Sequence, residues 1–206
     1  MKKAVLIVVA GLMVMAVAGV IVFRTIAAKE SAGTPVQEVS PKAAKSLQQK
    51  IDAVKSAEQN PHHKRGSSRI ELSEGELESY LLYSLKEDIP AQIDTAGVQL
   101  GQDSISLDTQ ITFVSNATGN PMVDALVGGT HNLFLKGRLV GSQGRGKFDL
   151  QEIRVDGIPV PNILIQALFK KYVKPKYPDA DLNEPFDLPY NIDGLKLEPG
   201  KATVVY

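Results

Sequence analysis

The chain has 206 residues, with 23 lysines and arginines balanced by 23 aspartates and glutamates, and it contains neither cysteine nor tryptophan. A formal charge of zero leaves no whole-chain field to gather nucleic acid, and the missing cysteines exclude disulfides, thiolate zinc sites, cysteine nucleophiles and cysteine lipidation together. The length suits one folded domain plus accessory segments, and a domain without disulfides must take its stability from its core.

Met1-Lys2-Lys3 is followed by an uncharged apolar run over residues 4–23. At ~1.5 Å per residue the run is long enough to cross a hydrocarbon core of ~30 Å. A cleavable signal peptide is the competing reading, because Ala16-Val17-Ala18 has the small-residue form of a cleavage site. The run continues through Gly19 to Phe23, longer than the apolar region of a signal peptide usually is, so an uncleaved anchor over residues 1–24 is expected. Lysines ahead of the span place the N-terminus in the cytoplasm and the bulk of the chain outside the cell membrane, periplasmic or at the cell surface; Arg24 and Lys29 weaken that bias.

Residues 25–69 read as a linker with a stalk. The first part is small and polar, with Gly33 and Pro35. Over residues 42–59, Ala44, Leu47, Ile51 and Val54 fall on one helical face. Two heptads are too few for a coiled coil, so an amphipathic stalk helix lying on the domain or on the membrane is expected rather than a dimer seam. Asn60 to Arg69 is a polar break. Its adjacent His62 and His63 point in different directions and lack a third ligand, which reads as a solvated loop.

The folded domain is expected over residues 70–206, opening at Ser73-Glu74-Gly75-Glu76. Serine followed three residues later by glutamate forms a capping box. Leu77, Tyr80, Leu81, Ser84 and Leu85 then share a helical face that runs to about Glu87, before Pro90. From there the period changes to two. Residues 93–100 form a strand, Gly101-Gln102-Asp103 a turn, and Ile105, Leu107, Thr109, Ile111 and Phe113 alternate with polar residues. Residues 116–129 are a loop. Leu133, Leu135, Gly137 and Leu139 mark the next strand, and residues 142–146 a hairpin turn. The apolar phase is even at Phe148 and Leu150 but odd at Ile153 and Val155, so a β-bulge is predicted near Gln151-Glu152. A Gly-Ile-Pro-Val-Pro turn leads into a strongly apolar helix over residues 162–173. A proline-rich acidic connection over residues 175–189 and two short strands around Glu198-Pro199-Gly200 close the chain.

No catalytic signature is present. Asp179, Asp181 and Asn183 have the opening spacing of a calcium loop, but Glu184 stands at the glycine position and Tyr190 at the bidentate-glutamate position, so an acidic surface loop is expected. Asn116 heads a glycosylation sequon that reads as a polar loop. His131 at a strand end reads as structural, residues 141–146 lack a phosphate-loop pattern, and Asp94 and Asp108 have no spacing that joins them. The 162–173 helix is the exception. Its Ile163, Leu164, Ile165, Leu168, Phe169, Tyr172 and Val173 exceed the stripe that one sheet contact requires, so it is either enveloped by a curved sheet or exposed to a lipid or partner. Lys170, Lys171, Lys174 and Lys176 gather at its end, where they complement the helix dipole or meet lipid phosphates.

The anchor, the capped helix LSEGELESYLL, the antiparallel meander, the GIPVPNILI helix start and the closing FDLPYNIDGLKLEPGKATV together resemble bacterial envelope proteins related to the tubular lipid-binding group. That resemblance implies a bent sheet wrapped around a helix with an apolar groove for an acyl chain. The expected architecture is therefore α+β: a transmembrane helix and stalk, then a curved antiparallel sheet of about five to six strands around one or two helices. The expected function is binding of a membrane lipid or other amphiphile, lined by Leu81, Leu85, Leu107, Ile111, Leu135, Ile165, Leu168 and Phe169, with the four lysines at the membrane. The alternative is a non-enzymatic adaptor in an envelope complex, in contact with an envelope protein partner. No cofactor, metal or nucleic acid is expected.

Overall fold

The computed structural model describes residues 39–84, 92–113, 129–168, 170, 174, 182 and 184–206. Within them the architecture is α+β with a large antiparallel sheet. Helix α1 (Pro41–Gln59) is followed by strand β1 (Arg69–Ser73), helix α2 (Glu74–Tyr83), and strands β2 (Gln92–Gly101), β3 (Ser104–Phe113), β4 (Gly129–Ser142) and β5 (Arg145–Val155). The short strand β6 (Ile158–Pro159), helix α3 (Asn162–Leu168), the short strand β7 (Phe186–Asp187) and the β8–β9 hairpin (Gly194–Glu198, Lys201–Val205) complete it. No helix among the described residues is long and apolar enough to cross a membrane; the expected span at residues 4–23 lies outside them.

The sheet runs β1-β9-β8-β4-β3-β2, with β5 on the other side of β4. Strand β4 is the pivot. Residues 129–138 of β4 pair with β3, and further along Gly141 pairs with Leu195 of β8. The β2–β3 and β8–β9 hairpins meet at that change of partner: Asp103 N–H donates to Leu197 O at 3.2 Å and Gly200 N–H to Leu100 O at 3.2 Å. The β4–β5 turn has positive φ at Gln143 (52°) and Gly144 (75°), the primed geometry that matches strand twist in a two-residue hairpin.

The predicted bulge is present. Lys136 faces Glu152 and Gly137 faces Leu150, leaving Gln151 as the extra residue, so Phe148, Ile153 and Val155 all turn inward despite their change of parity. A second shift, at Asp94 in β2, brings Ile93 inward together with Val98 and Leu100. Cross-strand rows such as Val98–Leu107–Leu135–Ile153 build a single apolar cluster. The Phe148 ring lies directly over Gly137, where any Cβ would collide with it.

Helix α2 shares in covering this cluster. Leu81 is buried, and Leu77, Tyr80 and Leu82 pack against it. Its backbone ends at Tyr83 with Ser84 as cap; Leu85 and Glu87, expected to continue it, lie outside the described residues. Helix α3 contributes Ile165 to the same cluster. The remainder of the expected helix, to Val173, lies largely outside the description.

Helix α1 lies on the domain, one of the two placements its periodicity left open. Ala44, Leu47 and Val54 are buried, and Ile51 is half-buried. The opposing face of α2 presents Gly75 and Ser79, small residues that let two helices approach closely. Ser79 is fully buried and fully used: its hydroxyl donates to Gly75 O at 2.5 Å and accepts the Ser40 N–H at 3.1 Å.

Candidate functional site

Helix α2 carries three glutamates with two different tasks. Glu74 and Glu78, one turn apart, face β2, a terminal strand of the sheet. Glu78 Oε1 accepts the Val98 N–H at 2.8 Å and Glu74 Oε1 accepts the Leu100 N–H at 2.6 Å. These backbone groups point away from β3 and would otherwise be open to solvent or to another strand. Burial raises the Glu78 carboxyl; the Val98 N–H opposes that, and the nearby Glu74 charge adds to it, leaving it above its ordinary value.

Glu76 faces α1. Its carboxylate accepts Lys50 Nζ at 2.6 and 2.7 Å, Ser46 Oγ at 2.7 Å and the Ser73 N–H at 3.0 Å, while Ser73 Oγ accepts the Glu76 N–H at 3.2 Å. The predicted capping box is therefore formed, and α1 is tied into it. Burial acts to raise this carboxyl, but the bonds from Lys50, Ser46 and Ser73, with the Lys50 charge, outweigh it and hold it below its ordinary value.

Around this network runs an open groove of about 640 Å³. One wall is α1, through Ser40, Lys42, Ala43, Ser46 and Lys50. The other is β1 and its surroundings, through Glu71, Leu72, Ser73, Gly75, Glu76, Gly200 and Lys201. Lys201 Nζ meets Glu71 Oε1 at 3.1 Å, and Lys50 Nζ also donates to Glu71 O at 2.7 Å. Lys42 is exposed on the rim.

A second polar cluster sits at the far end of β2–β5. Thr112 Oγ1 bonds to Asp94 and lies 2.7 Å from Thr130 Oγ1. His131 Nδ1 lies 2.8 Å from Asp156 Oδ2, whose partner oxygen accepts the Asn132 N–H at 2.9 Å. The pair pins the β5–β6 turn to β4, the structural role expected of His131. Asp94 and Asp108 stay apart: Asp94 meets Thr112, while Asp108 pairs in register with Gly97.

Of the expected lining residues, Leu81, Leu107, Ile111, Leu135 and Ile165 are brought together in one cluster, each at most 7% exposed. The placements of Leu85 and Phe169 and the Leu168 side chain lie outside the described residues. Lys170 is exposed and Lys174 half-buried with an interaction of its own, while Lys171 and Lys176 are not described. The 40–50 wall and strand β1 were not singled out from sequence as a site. The alternation of Arg69 and Glu71 with Ile70 and Leu72 is the signal that marks the strand. Among the described residues no group of three histidine, aspartate or glutamate side chains converges as a metal site requires; Asp179, Asp181 and Asn183 fall outside. No protein-family model matches the chain, and comparison with curated proteins finds no match.

Proposed function

We propose that the chain is a single-pass envelope protein whose extracytoplasmic α+β unit works without catalysis, as an adaptor that holds a protein partner in the groove between α1 and β1. The observation carrying this reading is the packing of the interior. Five of the side chains expected to line an acyl-chain groove, Leu81, Leu107, Ile111, Leu135 and Ile165, are buried in one apolar cluster, where contact with one another accounts for their burial without a ligand. The groove beside α1 opens to solvent and mixes lysines, glutamates and exposed backbone, a lining suited to a protein surface rather than to an acyl chain. Lys42→Cys carrying a photocrosslinker, in the full chain in its native envelope, is expected to capture one reproducible protein, whereas Lys147→Cys on β5 is not. Equal capture from both positions, or none from either, contradicts the adaptor reading.

Amphiphile binding, the function implied by the tubular lipid-binding resemblance, has one observation in its favour. Ile163 on α3 is 81% exposed, and Pro161 and Lys170 nearby in the chain are also exposed. Exposed apolar and cationic side chains within one short segment are a combination that suits a lipid headgroup boundary. Absence of co-purifying lipid in native mass spectrometry of detergent-free protein, together with failure to bind a fluorescent acyl-chain probe, rules this out.

A further inference from the structure

Strand β1 ends the sheet, and its pairing shows which of its backbone groups are spoken for. Ser68 and Tyr206 exchange both backbone hydrogen bonds at 2.9 Å, just before the ladder in which Arg69 faces Val205 and Ile70 faces Val204. In an antiparallel pair such bonded positions recur at every second residue. Ile70 and Leu72 therefore bond to β9, and the N–H and C=O groups of Arg69, Glu71 and Ser73 point outward. Two side-chain contacts agree with that parity. Lys50 Nζ donates to Glu71 O, and the Ser73 N–H donates to Glu76. Among the described residues, the N–H and C=O of Arg69 and the N–H of Glu71 have no partner.

Of these residues Glu71 lines the groove, and Arg69 precedes it by two positions on the same strand edge. Strand β2, another terminal strand, is treated differently, since Glu74 and Glu78 occupy its outward N–H groups at Leu100 and Val98. Carboxylates thus take up β2 amides at these two positions, whereas the β1 edge is left open beside a cleft. The groove lining carries Lys42, Lys50 and Lys201 against Glu71 and Glu76. Lys50 is committed to Glu76 and Lys201 to Glu71, while Lys42 has no ion pair among the described residues. Outward backbone groups at alternate residues call for an extended chain, and the surplus cation calls for a carboxylate on it.

We propose that the β1 edge accepts an extended, acidic segment of a partner protein as an added strand, with a carboxylate meeting Lys42. The proposal rests on the adaptor reading and names its mode of contact. Lys50 already occupies Glu71 O, so strand pairing is confined to the Arg69 groups and the Glu71 N–H, and the carboxylate that meets Lys42 belongs to the segment's continuation along the groove past Lys50.

The test uses the full chain in nanodiscs of zwitterionic lipid, probed with a synthetic peptide of about eight residues alternating threonine and valine and ending in two glutamates. Amide hydrogen exchange at Arg69 and Glu71 is expected to be fast in the free protein and to slow at least ~10-fold on peptide binding, with Ile70 and Leu72 protected throughout. A peptide ending in lysines is expected to produce no slowing, and Lys42→Glu to abolish the effect of the acidic one. Arg69→Pro removes an outward N–H without touching the β9 ladder, so it is expected to abolish the slowing at Glu71, whereas Arg69→Ala retains it. Should the proline variant fold poorly, methylating the peptide amides that face β1 makes the same test on the unaltered protein. No slowing at peptide concentrations up to ~1 mM, or binding insensitive to both Arg69→Pro and amide methylation, overturns the proposal. Slowing caused by anionic nanodiscs without peptide assigns the face to the membrane and overturns it too. If Lys42 crosslinks to one partner while the β1 amides never respond, the adaptor reading stands and the strand mode falls.

Discussion

Glu76→Gln isolates the charge that joins α1 to α2 while keeping the side chain's size. In the parent, one carboxylate with 12% exposure accepts Lys50, Ser46 and the Ser73 N–H together. A hydrogen bond to a charged group contributes about 1.5–3 kcal/mol, and a reciprocal cap about 1 kcal/mol. These terms share one group and do not sum, and glutamine keeps an acceptor for the cap, so the expected loss at pH 7 is about 2 kcal/mol, or roughly 4–8 °C in Tm. The pH dependence has a definite sign. The Glu76 carboxyl is held below its ordinary value, so its contribution is complete above the ordinary carboxylate range and fades as pH falls through the folded-state value. Urea unfolding of residues 39–206, followed by circular dichroism at pH 7 and at pH ~2–3, should therefore show a parent-to-variant gap that is large at neutral pH and shrinks in acid. A gap under ~0.5 kcal/mol at pH 7, or one that stays constant with pH, refutes the role assigned to this carboxylate.

Glu78→Gln should behave oppositely. The parent carboxyl is raised, so its ionised form is the less favoured one in the fold, and the stability of the variant relative to the parent should increase as pH rises from below the ordinary carboxylate range to 7. Replacing both Glu74 and Glu78 by alanine should speed amide exchange at Val98 and Leu100 at least ~10-fold while leaving Ile153 protected; unchanged exchange shows that the carboxylates do not close the edge. Ile111→Ala, at a site 2% exposed, should cost about 2–5 kcal/mol in urea unfolding, and a loss below 1 kcal/mol indicates a looser interior than the one described. Gly137→Ala should cost about 1–3 kcal/mol through the clash with Phe148. Adding Phe148→Leu should recover part of that loss, and simple additivity of the two changes contradicts the contact.

Much of the sheet was legible because period-two burial is a local property of a strand. Leu107, Ile111, Leu133, Leu135, Phe148, Ile153 and Val155 were all readable as inward, and the odd-even slip after Leu150 betrayed the bulge at Gln151 before any pairing was known. The capping box at Ser73 and Glu76 was legible for the same reason, since both partners lie within one turn. Strand β1 escaped notice because it is five residues long and follows a polar loop, and its partner β9 lies more than a hundred residues away.

The amino-acid sequence by itself determined the α+β class, the order of most elements, the inward faces of β3, β4 and β5 and the absence of cysteine chemistry, since all of these follow from composition or from patterns spanning a few residues. Only the tertiary structure decided what the helices do to the sheet. The spacing of Glu74, Glu76 and Glu78 shows that they project to different sides of α2, but not that two of them meet β2 amides and the third meets Lys50, 26 residues earlier. Nor does it decide between the two placements open to the stalk helix, which lies along the domain and forms one wall of a groove beside an open strand edge. Those outcomes depend on contacts between segments far apart in the chain, and closure of long loops leaves no periodic trace in the residues that meet.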